Sequence, residues 1–328
     1  MKTLGYLLLL CIFVKKIILK VFHSINSFKA EKKTIITIGT FDGVHLGHQS
    51  ILKKVIDQAR TNDSESTVLT FFPHPRMVLQ QDSDIKLLNT IEEKTLLLRQ
   101  LGIDNLIIHP FDLEFSRLSA EEFVTQVLVE KLNIGKIIIG YDHRFGRNRT
   151  ATIDDLIAFG EKYNFTVSQI SAKEIDEIAI SSTKIRKALE EGDVSLAKCY
   201  LGNPYFITGQ VIEGKRIGRT IQFPTANLQP TENYKLIPKI GAYIITADID
   251  NQIVNGMLNI GYNPTLSNDN ISIEAHFFNF DGNLYQKTIK VNFLERIRNE
   301  QKFDTLEHLK EQLKHDKLYA LNYFEKNA

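Results

Sequence analysis

The sequence is poor in cysteine, with only Cys11 and Cys199 in 328 residues. Two thiols exclude a multi-bridge disulfide framework and a CxxC zinc cluster, and they fit a reducing cytoplasm. Neither sign of charge is in excess: 40 Lys and Arg face 39 Asp and Glu, a formal net charge of +1. A global basic field is therefore absent, and no nucleic-acid partner is expected. Long apolar runs are also scarce. Leu4 to Val14 is apolar but falls short of the ~20 residues that a membrane-spanning helix needs. Lys15-Lys16 follows it. A signal peptide lacks its small-x-small cleavage site, and Leu8-Leu9-Leu10 before Cys11 is a poor lipoprotein site. The natural start is expected near Leu19, with residues 1–18 an upstream extension; a membrane anchor is the alternative. Internal repeats and low-complexity tracts are absent.

What remains is an ordinary globular balance, 43% hydrophobic and 24% charged, long enough for two domains of ~150 residues. From Thr34 to about Leu201 the pattern alternates strand and helix. Apolar β-rich runs occur at Thr34–Ile38, Val68–Phe72, Asn105–Ile108, Lys136–Ile139 and Phe165–Ile170. Thr90 to Glu93 and Ser119 to Glu122 read as capping boxes opening helices. Alternating βα units predict a Rossmann-like α/β domain: a parallel sheet, helices on both faces, ligands at the carboxyl ends of strands. Gly202-Asn203-Pro204 marks a boundary. Runs of period two follow at Tyr205–Ile212, Ala242–Asp250, Ile253–Asn259, Ile271–Phe277 and Thr288–Phe293, predicting an antiparallel β-barrel. Asp304 to Glu307 is expected to cap a terminal helix carrying Leu306, Leu309 and Leu313. The domains are accordingly drawn as 19–186 and 204–328, joined by a helical linker over 187–203.

The most informative segment is Gly39-Thr40-Phe41-Asp42-Gly43-Val44-His45-Leu46-Gly47-His48. It leaves a strand and opens a helix over Gln49 to Arg60. A helix N-terminus offers unpaired N–H groups and a positive dipole end, glycines allow close backbone approach, and imidazoles donate to phosphate oxygens. That combination suits attack on the α-phosphate of a nucleoside triphosphate. Ile180-Ser181-Ser182-Thr183-Lys184-Ile185-Arg186 is a second anion-binding helix start; alone, an ordinary Ser/Thr cap explains it equally well. Phe71 to Arg76 and Gly140 to Gly146 also fall at strand ends, where plain loops are the alternative.

In the second half, Gly209 to Arg216 approaches a Walker A loop, but Arg216 replaces the metal-binding hydroxyl and the flanks read as strands. A flap over phosphates using Gly214, Lys215, Gly218 and Arg219 stands beside a plain surface turn. Thr225 and Asn227 in Phe223-Pro224-Thr225-Ala226-Asn227-Leu228 lie two apart and can share one side of an extended segment; their oxygens suit Mg²⁺ and phosphate. In Ile271 to Phe277, the residues Ser272, Glu274 and His276 share the polar face. Glu274 could accept a proton from an attacking hydroxyl; an exposed strand glutamate is the alternative.

These motifs, in this order, resemble the bacterial riboflavin kinase/FAD synthetase family, over about Val21 to Lys317. Phe-Pro-Thr-Ala-Asn is the most specific of them, and Arg296 to Phe303 (RIRNEQKF) resembles the family's kinase end region. The resemblance implies ATP-dependent phosphorylation of riboflavin to FMN in the C-terminal unit. It implies transfer of AMP from ATP to FMN, giving FAD and pyrophosphate, in the N-terminal one, both with Mg²⁺. It further implies a catalytic set of His45, His48, Arg186 and Glu274. Gly39, Thr40, Phe41, Asp42, Asp142, Ser182, Thr183, Gly214, Lys215, Gly218 and Arg219 would bind nucleotide, and Thr225 and Asn227 would hold the metal. Small-molecule flavins and ATP are then the partners, a cytoplasmic location is expected, membrane contact is not, and oligomeric state is not read. Two departures stand out. Gln222 occupies a position often held by Gly, where a side chain is expected to narrow the flap. Phe72 stands where many members are acidic. An enzyme with one live module and a flavin-binding regulator are the competing readings.

Overall fold

A computed structural model describes residues 18–80, 84–140, 144–170, 180–214, 218, 221–250, 252–262 and 271–327. The N-terminal unit is built on a parallel sheet. Its strands are β1 (Lys20–Phe22), β2 (Thr34–Ile38), β3 (Glu65–Phe71), β4 (Asn105–His109), β5 (Ile134–Gly140) and β6 (Thr166–Ile170). Their spatial order is β1-β4-β3-β2-β5-β6, and every described pairing is parallel. The β2 run TIITI is buried along its whole length, as a strand covered on both faces requires. Helix α1 (Leu46–Thr61) covers one face with Leu52, Val55, Ile56 and Ala59. Helices α2 (Pro75–Leu79) and α3 (Ile91–Leu101) follow β3. Ala120–Glu122 opens α4, which continues as a π-helical stretch over Phe123–Val129, and α5 (Ile153–Tyr163) precedes β6. Both expected capping boxes form, with Thr90 and Ser119 as the caps.

Successive strands run outward from β2 in both directions, so the order switches between β2 and β5. That switch leaves a crevice at the carboxyl ends of these two strands. The edge strand β1 is a structural addition. Its three residues are too few to show periodicity, and only the pairing with β4 makes them a strand.

The C-terminal unit is a closed antiparallel barrel, in order β10-β11-β8-β7-β12-β9. Its strands are β7 (Phe206–Ile212), β8 (Ala226–Pro230), β9 (Gly241–Ile249), β10 (Gln252–Tyr262), β11 (Ile271–Phe277) and β12 (Thr288–Arg298). Linker helices α6 (Ser182–Glu191) and α7 (Val194–Leu201) bury Ile185, Leu189, Val194 and Leu201 in the same core as Tyr243, Ile245, Val291 and Phe293. The boundary drawn after Arg186 thus falls inside α6, whose apolar face belongs to the barrel. Helix α8 (Leu306–Lys326) closes one end, packing Leu309, Leu313, Ala320 and Phe324 near Phe223, Ile244, Met257 and Phe278. Its cap is Thr305, not Asp304: Thr305 accepts the His308 N–H at 3.2 Å.

Candidate active sites

The loop leaving β2 is wound tightly. Phe41 (φ 45°), Gly43 (φ 91°) and Val44 (φ 42°) all lie in the left-handed region. Two of them carry side chains, at a cost of ~1 kcal/mol or more each. Burial of both side chains holds the loop in place: Phe41 and Val44 are core residues. At Gly43 the left-handed φ favours glycine, and a Cβ there would also crowd Leu88 Cδ1 at 2.7 Å. The effect of this winding is to aim the start of α1 at the crevice.

His45 is the N-cap of α1, and its Nδ1 accepts the His48 N–H at 3.3 Å. That nitrogen therefore carries no proton. The two imidazoles stack with centroids 3.6 Å apart and 19° between planes, and Phe41 meets His48 edge-on at 5.1 Å. Burial pushes His45 down to about 4. Burial first, then the charges of His45 and Lys94, pushes His48 well below its ordinary range. The His48 Nδ1 is shut from solvent with no hydrogen-bond partner among the described residues. A buried polar atom of this kind has a desolvation cost with no return in the free protein.

His48 lines a cavity of about 720 Å³ with Gly39, Thr40, Phe41 and, from the end of β5, Gly140. The opposite wall carries Phe71, Phe111, Phe115, Arg117, Arg144 and Arg149. Phe71 packs against Phe111 at 5.6 Å and Phe115 at 5.5 Å. On this wall Phe71 and Arg144 belong to the strand-end stretches marked in the sequence, whereas Phe111, Phe115, Arg117 and Arg149 were not foreseen. Its members are far apart in sequence and meet because β3 and β4 run in parallel register, Phe71 opposite His109.

The remaining motif residues act one layer back. Asp42 is buried and does not line the cavity. Its Oδ1 accepts the N–H groups of Leu88 (2.9 Å) and Asn89 (3.3 Å), and its Oδ2 pairs with Arg186 Nη2 at 2.6 Å. Arg186 Nε donates to Lys86 O at 3.0 Å, and the Ser182 hydroxyl donates to Asp42 O at 2.8 Å. Ser182 and Arg186 are therefore brought to the back of the loop rather than to the cavity wall, and Thr183, on the first turn of α6, is exposed and lines no part of that cavity. Lys94, also unforeseen, donates from Nζ to Thr40 O at 2.7 Å, and burial pushes its amine down to about 8. Asp142 lies outside the described residues, as do Lys215 and Arg219.

Five histidines are held by burial below their ordinary value: His45, His48, His74, His109 and His276. Between their folded and unfolded values the unfolded chain binds more protons. Stability is then complete above pH 6.5 and declines as pH falls toward 4. A urea midpoint followed stepwise downward from neutral pH is expected to drop through this window. A flat profile would contradict neutral, buried imidazoles.

In the barrel, β8 and β11 place Asn227 opposite Glu274. Thr225, just before β8, donates from its hydroxyl to Glu274 Oε2 at 3.2 Å. Two cavities meet at this point. One, of about 350 Å³, is lined by Thr225, Phe277, Phe280 and Tyr285. The other, of about 290 Å³, is lined by Thr225, Glu274, His276, Phe223 and Met257. Thr225 belongs to both. His276 is buried, and its Nδ1 lies 2.8 Å from Pro224 O; a carbonyl only accepts, so Nδ1 carries the proton. The RIRNEQKF run supplies Arg298, Glu300, Gln301 and Phe303 to the second cavity. There Arg298 forks onto Asp316 of α8, Nε to Oδ1 at 3.0 Å and Nη2 to Oδ2 at 2.8 Å.

Gly218 packs against backbone, and Gly214 against the Asn227 side chain. A Cβ on Gly214 would lie 2.0 Å from Asn227 Nδ2, and one on Gly218 would lie 2.2 Å from Phe223 O. Gln222 adopts φ 66° and is exposed, so its side chain stays outside both cavities. A backbone position of this kind favours glycine, and flap residues 215–217, 219 and 220 lie outside the described residues. Gln222→Gly should relieve the backbone strain for a net gain of about 0.5–1 kcal/mol after the added chain entropy. A thermal midpoint unchanged or lowered would count against a strained residue.

A glycine-punctuated strand–loop–helix turn at a sheet's switch point, together with a barrel whose Thr225 lines two cavities next to a carboxylate, fits a two-module transferase. Comparison with known proteins agrees. Residues 27–184 match the FAD synthetase family and residues 201–324 the riboflavin kinase family. The bifunctional riboflavin kinase/FMN adenylyltransferase of Bacillus subtilis (strain 168) is 37% identical over 311 residues, 92% of this chain and 96% of that protein. Its namesake in Buchnera aphidicola subsp. Schizaphis graminum (strain Sg) is 39% identical over 302 residues, 91% and 96% of the two chains. A Streptococcus pneumoniae crystal structure, described as a macrolide-efflux protein, superposes with a TM-score of 0.85 at 30% identity, covering 93% of this chain and 99% of its own. Among the described residues of this chain, no helix is long and apolar enough to cross a membrane. The chain belongs to the bifunctional riboflavin kinase/FMN adenylyltransferase family.

Proposed function

We propose that the chain makes FAD in two steps at separate sites. In the barrel, ATP occupies the cavity lined by Phe280 and Tyr285, and riboflavin the one lined by Glu274 and His276. The flavin 5′-hydroxyl attacks the γ-phosphorus, Glu274 takes its proton, the bond to the β-phosphate oxygen breaks, and ADP leaves. Thr225 orients Glu274 by its hydrogen bond and stands between the two reactants. His276 holds the Pro224 carbonyl and so steadies the Thr225 segment.

In the α/β unit, a phosphate oxygen of FMN attacks the α-phosphorus of a second ATP and pyrophosphate leaves. FMN phosphate is already anionic, so no base is needed. His48, neutral in the free protein, lines the cavity and would donate an N–H to the triphosphate together with the N-terminus of α1, while His45, buried and absent from the cavity wall, would support it by stacking. Arriving anionic charge raises the proton affinity of both rings and strengthens those bonds. The aromatic wall of Phe71, Phe111 and Phe115 suits a flat flavin ring, and Arg117, Arg144 and Arg149 suit its phosphate.

Mg²⁺ fits the barrel donors. Among the described residues no cluster of three His, Cys, Asp or Glu could cage a metal. The hydroxyl of Thr225 and side-chain amide of Asn227 are hard oxygen donors that would hold an ion carried on nucleotide phosphates. Bound there, it would neutralise developing phosphate charge. Catalysis in a reducing cytoplasm fits both the cysteine content and the need for ATP.

The observation that carries this reading is the shared Thr225 wall beside Glu274, matched in the other unit by the His48 ring that lines the large cavity at the start of α1. Purified chain incubated with riboflavin, ATP and Mg²⁺ should yield FMN first and FAD after it, resolved by chromatography over time. No new flavin would favour a regulator; FMN or FAD formation alone would leave a single live module.

A further inference from the structure

Glu93 and Lys94 are neighbours on the first turn of α3, yet they bond to different units. Lys94 holds Thr40 O of the adenylyl loop. Glu93 reaches the barrel: its Oε2 pairs with Lys235 Nζ at 2.6 Å, and its Oε1 accepts the Thr208 N–H of β7 at 2.8 Å. Lys235 also donates to Leu88 O at 2.6 Å. The backbone is joined at the same place, Leu87 N–H to Tyr234 O at 2.7 Å and Leu236 N–H to Leu87 O at 2.8 Å. The segment 87–90 is thus a strap. Its Leu88 carbonyl is held by the barrel lysine, and its Leu88 and Asn89 amides are held by Asp42 of the adenylyl loop.

The Lys235 and Glu93 side chains are 0% and 2% exposed. A buried ion pair of this kind is a weak source of stability, since an apolar pair of similar volume does as well. What it supplies is direction: three donors and two acceptor oxygens fix where the strap and the α3 turn sit. Neither residue lines any of the three substrate-sized cavities.

We propose that Lys235, a residue of the kinase barrel, is a positioning residue for adenylyl transfer in the other unit. It acts through Glu93 and the strap on the Thr40–Asp42 loop that carries the site. This rests on the two-step reading above. The kinase module is on this view a structural part of the FAD-forming site.

The test uses the full chain, with riboflavin phosphorylation and adenylylation of supplied FMN assayed separately. For Lys235→Met, FAD formation should fall about 10- to 100-fold in kcat, the scale set by sub-ångström to ångström misplacement of a reacting site. Riboflavin phosphorylation should stay within about twofold, although the substitution lies in its own module. A purely structural role would do the reverse, lowering the kinase along with the thermal midpoint. The double variant Lys235→Met, Glu93→Gln removes the stranded carboxylate. Its midpoint should return toward wild type while FAD formation stays low. Recovery of FAD formation in step with the midpoint, or wild-type FAD formation by the single variant, overturns the proposal. A wild-type chain that makes no FAD would overturn the two-step reading itself.

Discussion

His48→Ala is expected to abolish FAD formation and leave FMN formation at the wild-type rate. The imidazole stands on the third residue of α1, stacked on His45 and lining the large cavity. Removing one pre-placed donor to developing phosphate charge costs about 10²–10³ in rate. The loss should exceed that figure, because His45 then loses its stacking partner and the cavity gains water. Stability should change little. The deleted ring takes away contacts with Phe41, but it also removes an unpartnered buried nitrogen. The measurement is paired initial rates, riboflavin to FMN and FMN to FAD, on one preparation. Loss of both activities together would refute separable sites. Undiminished FAD formation would refute the role of the imidazole.

Glu274→Gln should give the complementary result. The amide keeps the shape and can still accept the Thr225 hydroxyl, but it cannot take a proton. General-base catalysis contributes about 10²–10⁴, so FMN formation should fall by that factor while FAD is still made from supplied FMN. The KM for ATP should hold, since the carboxylate lines the flavin-side cavity and not the other one. A variant that phosphorylates riboflavin within a few-fold of wild type would remove Glu274 from the base role. The two variants together form a test that neither gives alone, because each leaves the other's reaction as its internal control.

Much of the site was readable because its parts are local. The buried run Thr34–Ile38, the glycine-punctuated turn after it and the helix beyond are contiguous, so strand, loop and N-terminus could be placed in order. The capping boxes at Thr90 and Ser119 bond within one helical turn and were equally visible. The barrel runs declared themselves by period two, and Ile271–Phe277 matches β11 at both ends. Where two adjacent residues could serve, local chemistry did not choose: Asp304 and Thr305 are both capable caps, and backbone geometry selected Thr305. The polar face expected of β11 holds, with Glu274 and His276 on one cavity, but His276 is buried beside Phe278 where Ser272 and Glu274 are half-buried.

The amino-acid order by itself determined the longer elements, the two-unit layout and the types of residue at each strand-to-helix turn, since these depend on φ preferences, side-chain period and caps a few residues away. Only tertiary structure decided which groups meet. Asp42 and Arg186, 144 positions apart, form one clamp; Thr225 is a shared wall because β8 pairs with β11; and Lys235 reaches Glu93 across 142 positions. Such contacts follow from strand register and the packing of one unit on the other, and no spacing along the chain encodes them.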